Sequence, residues 1–275
     1  MEKLNNKGFA ISGIIYSLLL LFIILLTAIL LLIANRKFVL DTVNKDIMKK
    51  LDETEKENTN DIENDLTFYF DHELGYQSPQ FIDLSGNGNV ITGNGISRSY
   101  DGVQLYGDAS YINTGLSNYN NNNYSFMIRF KINSTSFTLA QTIMGDSNSS
   151  GAALRFPGTG SPKIEFTIFD ESSGNFVNIV SSFNLDINVF YTVVGTYDGN
   201  TLKLYINGKL ESFRISTGGQ KDSDLPVYIG RNPISDTTTL GKANTICAYA
   251  KVFNRALTAK EIDDMYNSDK IRFGL

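Results

Sequence analysis

The chain has 275 residues, enough for one large all-β domain plus accessory segments. Its formal net charge is −5 and its Lys and Arg are scattered singly, which excludes the basic footprint of a duplex-binding protein and with it a nucleic-acid partner. The one cysteine, Cys247, excludes an internal disulfide, so an exported domain must rest on packing alone, which suits an exported bacterial protein better than a small secreted eukaryotic module.

Residues 1–8 form a short leader. From Phe9 to Ala34, "FAISGIIYSLLLLFIILLTAILLLIA" runs without a charge, longer than the roughly 20 apolar residues an α-helix needs to cross a bilayer. Asn35, Arg36 and Lys37 follow it in place of a small-residue cleavage site. Lys3 and Lys7 flank one side and Arg36, Lys37 and Lys45 the other, so the charge bias is weak. The short arm suits a cytoplasmic N-terminus, and the expectation is a single-pass protein of the cell membrane with its C-terminal part outside.

The junction "NNKGFAISGIIYSLLLLFIILL" resembles the start of type IV pilins and pseudopilins. The resemblance implies a processing site between Gly8 and Phe9, and other pilin-like subunits as partners. Pilins usually carry Glu at the fifth mature position, and Gly13 stands there in this chain. A plain signal anchor is the alternative. Beyond the membrane, Leu40, Val43, Ile47 and Leu51 form one narrow apolar stripe. A helical stalk is expected over 35–57, and polar residues 58–65 read as a linker.

From Leu66 the period changes to two. In "YSFMIRFKI", Tyr124, Phe126, Ile128, Phe130 and Ile132 alternate with Ser125, Met127, Arg129 and Lys131, the pattern of a strand with one buried face. "DGVQLYG", "KIEFTIFD", "FYTVVGTY", "TLKLYING", "LPVYIG" and "CAYAKVF" read likewise, with turn signals between them. Asp198-Gly199-Asn200 and Asn207-Gly208 close two hairpins, sending Leu202, Leu204 and Ile206 to the core and Lys203, Tyr205 and Asn207 to the other face. Near the end, Thr258 and Glu261 form a capping box, and Leu257, Ile262, Met265 and Tyr266 the packing face of one short helix.

"FIDLSGNGNVITG" (81–93), "VVGTYDGNTLKLYINGKL" (193–210), "VYIGRN" (227–232) and "AYAKVFNRALTAKEIDDMY" (248–266) resemble, in that order, the laminin G-like domains of the concanavalin A-like lectin/glucanase superfamily. The resemblance implies that 66–275 is an all-β, antiparallel jelly-roll sandwich. Glucanases of the superfamily carry paired carboxylates on one strand, and no Glu-x-Asp-x-x-Glu occurs here. Glu165 and Asp170 come nearest, but an odd spacing points them to opposite faces. His72, the only histidine, reads as a surface residue near a domain boundary, and Cys247 as a small buried one, so the domain is expected not to be an enzyme.

"DLSGNGN" places Asp83, Ser85, Asn87 and Asn89 at alternate positions, which fits either a Gly/Asn turn or a weak calcium site on Asp83 and Asn87. Sugar binding calls for aromatic faces and hydrogen-bonding side chains. Tyr119 and Asn121 in a loop, with Arg129, Tyr191 and Tyr205 on a sheet face, are the candidates. The leading expectation is an adhesin-like lectin that recognises a polysaccharide or glycoprotein. The alternative is a pilin-like structural subunit that displays the sandwich without a sugar ligand of its own.

Overall fold

The alternating apolar residues become two stacked sheets in the computed structural model, which describes residues 19–22, 25–27, 31, 62–77, 80–106, 110–119, 122–133, 137, 139–216, 218–233 and 244–275. The expected leader, the Gly8–Phe9 processing site, the stalk, most of the 9–34 segment and Asn121 lie outside the described residues. Residues 19–22, 25–27 and 31 are helical. Among the described residues no helix is long and apolar enough to cross a membrane. The chain divides into two units, Met1–Thr54 and Glu55–Leu275, and every described strand belongs to the second.

Within that unit a 3-10 turn, Ile62–Asp65, leads into β1 (Leu66–Asp71). Then follow β2 (Tyr76–Gln77), β3 (Gln80–Phe81), β4 (Thr92–Asn94), β5 (Ser97–Arg98), β6 (Val103–Tyr106) and β7 (Tyr111–Asn113). Next come β8 (Tyr124–Ile132), β9 (Ala140–Gly145), β10 (Ala152–Pro157), β11 (Glu165–Asp170) and β12 (Asn175–Val180). The last elements are β13 (Phe190–Tyr197), β14 (Thr201–Ile206), β15 (Lys209–Ile215), β16 (Tyr228–Ile229), β17 (Asn244–Phe253) and the helix α1 (Ala259–Phe273).

The larger sheet runs β15-β14-β13-β8-β17-β6-β5, with β1 also paired to β17, and the second runs β12-β11-β10-β9-β16-β7-β4. Pairing is antiparallel throughout the described strands. Phe126, Ile128, Phe130, Val193, Leu202 and Leu204 of the larger sheet meet Leu154, Phe156, Phe166 and Ile168 of the second in the main core. Both predicted hairpins form. Tyr197 pairs with Leu202 across the first, where Asp198 Oδ1 accepts from the amides of Asn200 (3.0 Å) and Thr201 (2.7 Å). In the second, Asn207 and Gly208 hold φ of 51° and 81°, two successive positive values that match a right-handed hairpin twist.

The larger sheet differs from the expected half-buried one. Ser125, Met127 and Arg129, on the outward side of β8, are buried as well. The cause is α1 with the segment that leads into it: Leu257, just before the helix, and Ile262 within it lie over Met127, Val194, Tyr205, Tyr249 and Phe253 as a second apolar layer, with Met265 packed against it. The expected cap starts this helix: Thr258 Oγ1 accepts from the Glu261 amide (3.2 Å) and Glu261 Oε2 from the Thr258 amide (2.8 Å). Arg272 secures its other end through two bonds to Asp71, at 2.6 and 3.0 Å.

Candidate ligand-binding cavity

Toward its C-terminal end the inward face of α1 turns from apolar to polar, because Asp269 succeeds Ile262 and Met265. Asp269 Oδ2 accepts from Thr192 Oγ1 (3.0 Å) and from the Tyr249 hydroxyl. At this end of the helix lies a cavity of about 780 Å³, in the ~300–1,000 Å³ range of small-ligand sites. Arg129 of β8, Phe190 of β13 and Ala248 of β17 line it from the sheet, and Arg272 and Phe273 from the helix. His72, Glu73, Leu275 and the β5–β6 turn, residues 98–101, complete the wall.

The turn is held close to the sheet. Ser99 donates through its amide (2.8 Å) and hydroxyl (2.9 Å) to the Gly102 carbonyl. A Cβ on Gly102 would stand 2.5 Å from the Cys247 carbonyl oxygen, so only glycine permits this approach. Tyr100, at the tip, is 99% exposed. Beneath it His72 places Nδ1 3.0 Å from the Ala248 carbonyl and Nε2 3.3 Å from the Tyr100 carbonyl. His72 is 5% exposed, which corrects its reading as a surface residue.

Arg129 is 2% exposed. Its guanidinium lies 4.5 Å from the Phe273 ring centre and 5.0 Å from that of Phe190, and Nη1 donates to Thr192 Oγ1 at 3.2 Å. Nε is buried without a hydrogen-bond partner. Burial pulls the affinity of this group for its proton down, and the neighbouring Asp269 carboxylate opposes that shift. Arg98, at the mouth, donates Nε to the His72 carbonyl (3.1 Å) and lies over the Tyr76 ring at 4.3 Å.

The sequence-derived candidates do not assemble into one site. Arg129 lines the cavity. Tyr191 belongs to the core between the sheets, Tyr205 to the layer beneath α1, and Tyr119 is buried with its hydroxyl donating to Asp146 Oδ2 at 2.9 Å. None of these three rings offers a face to solvent. The residues that join Arg129 at the cavity, Tyr100, Arg98, His72, Phe190 and Phe273, were missed. The turn signal in "SRSYDGV" was the one local clue to them.

"DLSGNGN" is a self-bonded turn. Asp83 Oδ1 accepts from the amides of Tyr69 (2.9 Å) and Ser85 (3.0 Å), and Oδ2 from Ser85 Oγ (2.7 Å) and Asn89 Nδ2 (2.7 Å). Asn87 turns its Nδ2 to the Leu66 carbonyl at 2.8 Å. Burial would raise the Asp83 carboxyl, but these donors hold it below its ordinary range. Among the described residues no cluster of three His, Cys, Asp or Glu is arranged to hold a metal.

The carboxylates nearest to a catalytic pair are occupied too. Glu165 bonds to Arg155 at 2.6 Å and accepts from Asn178 Nδ2 at 3.1 Å, while Asp170 accepts from Ser216 Oγ at 2.6 Å and from the Ser173 amide at 2.8 Å. Cys247 is buried and its thiol is pushed well up by burial, so it is no nucleophile. Two packed antiparallel sheets closed by a helix, with Glu165 and Asp170 tied into the scaffold, define a jelly-roll sandwich. The chain belongs to the concanavalin A-like lectin/glucanases superfamily, whose laminin G-type family model matches residues 106–263.

A search of curated proteins found no match. Solved structures share the fold. The receptor-binding domain of botulinum neurotoxin C/D mosaic serotype is 16% identical with a TM-score of 0.59, over 75% of this chain and 52% of that one. The receptor-binding domain of botulinum neurotoxin type G is 19% identical with a TM-score of 0.58, over 74% and 51%. A structure of botulinum neurotoxin type C, whose access to cells is dependent upon interaction with two ganglioside molecules, is 20% identical with a TM-score of 0.58, over 75% and 52%. The chain thus spans about half the length of these domains.

Proposed function

We propose that this chain is a surface-displayed carbohydrate-binding protein, with the jelly roll as its binding head. The observation that carries the reading is the cavity outside the larger sheet, where a fully exposed aromatic ring, Tyr100, stands beside the guanidinium donors of Arg98 and Arg129. An aromatic face for the sugar ring and fixed donors for its oxygens are what saccharide recognition asks for. The superfamily is one of lectins as well as glucanases, and a toxin that shares the fold interacts with gangliosides. The ligand class is a polysaccharide or glycoprotein.

In this reading residues 1–8 stay in the cytoplasm, the uncharged 9–34 segment anchors the protein in the cell membrane, and 35–57 with linker 58–65 raise the head. The first test is a glycan and cell-wall polysaccharide array probed with the detergent-solubilised full chain. Saturable binding to one sugar class that Tyr100→Ala weakens supports the reading, and silence from folded protein sinks it. Topology is tested by adding protease to intact cells: a head protected until lysis contradicts surface display. The Lys7-Gly8-Phe9 junction favours a second reading, a pilin-like subunit. It requires a mature chain beginning at Phe9 by mass spectrometry.

A further inference from the structure

We propose that the cavity takes an acidic saccharide, a uronic or sialic acid unit, whose carboxylate is bound between the guanidinium groups of Arg129 and Arg98 while Tyr100 holds the sugar ring at the mouth. The proposal rests on the carbohydrate-binding reading and narrows its ligand class.

Ion pairing around the cavity is one-sided. Asp71 holds Arg272 at 2.6 and 3.0 Å, Glu73 touches the same guanidinium at 3.2 Å, and Asp101 holds Lys131 at 2.6 Å. Asp269, the remaining carboxylate near Arg129, receives its hydrogen bonds from the Thr192 and Tyr249 hydroxyls. Each of these anions is therefore served. The cations are not: among the described residues Arg98 makes one hydrogen bond, to a carbonyl, and Arg129 one, to a hydroxyl. Two guanidinium forks keep donors to spare in a chain whose formal net charge is −5.

A guanidinium fork matches a carboxylate in bidentate fashion, and such charge-assisted bonds are roughly twice as strong as neutral ones. Arg129 strengthens the case through its surroundings. Its burial between Phe190 and Phe273 removes most water from the charge, so an arriving anion meets little screening. Tyr100 offers its whole ring at the mouth, where the C–H face of a pyranose stacks. A neutral sugar gains from the ring but leaves the two forks unused.

The test is calorimetric titration of the detergent-solubilised full chain with three matched pairs: oligogalacturonate and its methyl ester, hyaluronan oligosaccharide and its carboxyl-reduced form, sialyllactose and lactose. At least one acid should bind about tenfold or more tighter than its neutral partner, with that preference lost in Arg98→Ala and Arg129→Gln. Because Arg129→Gln alters a buried site, the exposed-site variants Arg98→Ala and Tyr100→Ala, checked for a wild-type thermal transition, carry the decision. Tyr100→Ala should weaken acid and neutral sugars alike. Equal binding within every pair overturns the acidic class and leaves sugar binding standing, whereas no binding in any pair overturns both. A preference that survives Arg98→Ala in folded protein, or that dextran sulfate competes away as well as the sugar itself does, also overturns the proposal.

Discussion

Asp83 ties three segments together, because its two oxygens take donors from β1 and from both sides of its own turn. Removing the carboxylate strands the Tyr69 amide and frees the turn. Asp83→Ala should cost about 1–3 kcal/mol in urea unfolding, the range for stranded buried donors. Calcium or chelator should leave the Tm of either protein unchanged, and a calcium-dependent rise in the wild type would restore the metal reading. Gly195 makes the opposite kind of contact. A Cβ there would lie 2.6 Å from the Phe166 ring, so Gly195→Ala should wedge the sheets apart at a cost of about 1–3 kcal/mol, again read by urea. Neither role was legible locally. Alternating oxygen residues in "DLSGNGN" suit a cation or a self-bonded turn equally, and what decides is Tyr69 of β1, whose carbonyl accepts from the Leu84 amide at 2.9 Å and so lies beside Asp83. Arg129 was legible as far as its face of β8, since period two settles direction. Its burial depends on Phe273, at the far end of the chain.

The helix α1 is pinned at both ends by ion pairs, and those pins set how the fold responds to acid. Asp71 is fully buried, which alone would raise its carboxyl, yet Arg272 and the amides of Leu74 and Glu73 hold it below its ordinary range. Glu261 is likewise raised by burial but brought lower by Arg255 and Thr258. Carboxyls depressed by folding lend stability that is complete above their unfolded pKa and drains away as pH falls through the folded values. Asp146, raised by burial, works in reverse: its contribution is largest in acid and is lost as pH rises, so it partly offsets the other two. The urea midpoint should therefore begin to drop below about pH 5 and continue to fall below about pH 3. Arg272→Met should cost about 2–4 kcal/mol at neutral pH by leaving Asp71 buried and unpaired, and should make the acid drop shallower. A wild-type midpoint that rises into acid would contradict this assignment. The start of α1 could be read from "LTAKE" because a capping box is local. Short strands such as β4 and β5 could not, since two or three residues carry no period and exist as strands only through their neighbours.

Across the whole molecule, the last strand holds the larger sheet together. Leu66 of β1 pairs with Phe253, Val103 of β6 with Cys247, and Phe126 of β8 with Val252, so three segments from far upstream all wait for β17. The overall class was readable in sequence because alternation and turn chemistry repeat strand after strand. The strand order was not, since pairing over such separations leaves no local trace. Contacts this distant slow folding, because loop closure must precede the gain from pairing. Refolding of the full chain from urea, followed by near-ultraviolet circular dichroism, should accordingly take milliseconds to seconds. A chain ending at residue 243, without β17 and α1, should show no cooperative urea transition at all. A chain ending at Leu257 should keep one, weakened, because the core between the sheets stays intact while Met127, Val194, Tyr205 and Tyr249 lose their helical cover and bind a hydrophobic dye. Cooperative unfolding of the 243-residue chain would show instead that β8, β13 and β14 form a stable sheet alone, and would remove β17 from its place as the strand that completes the fold.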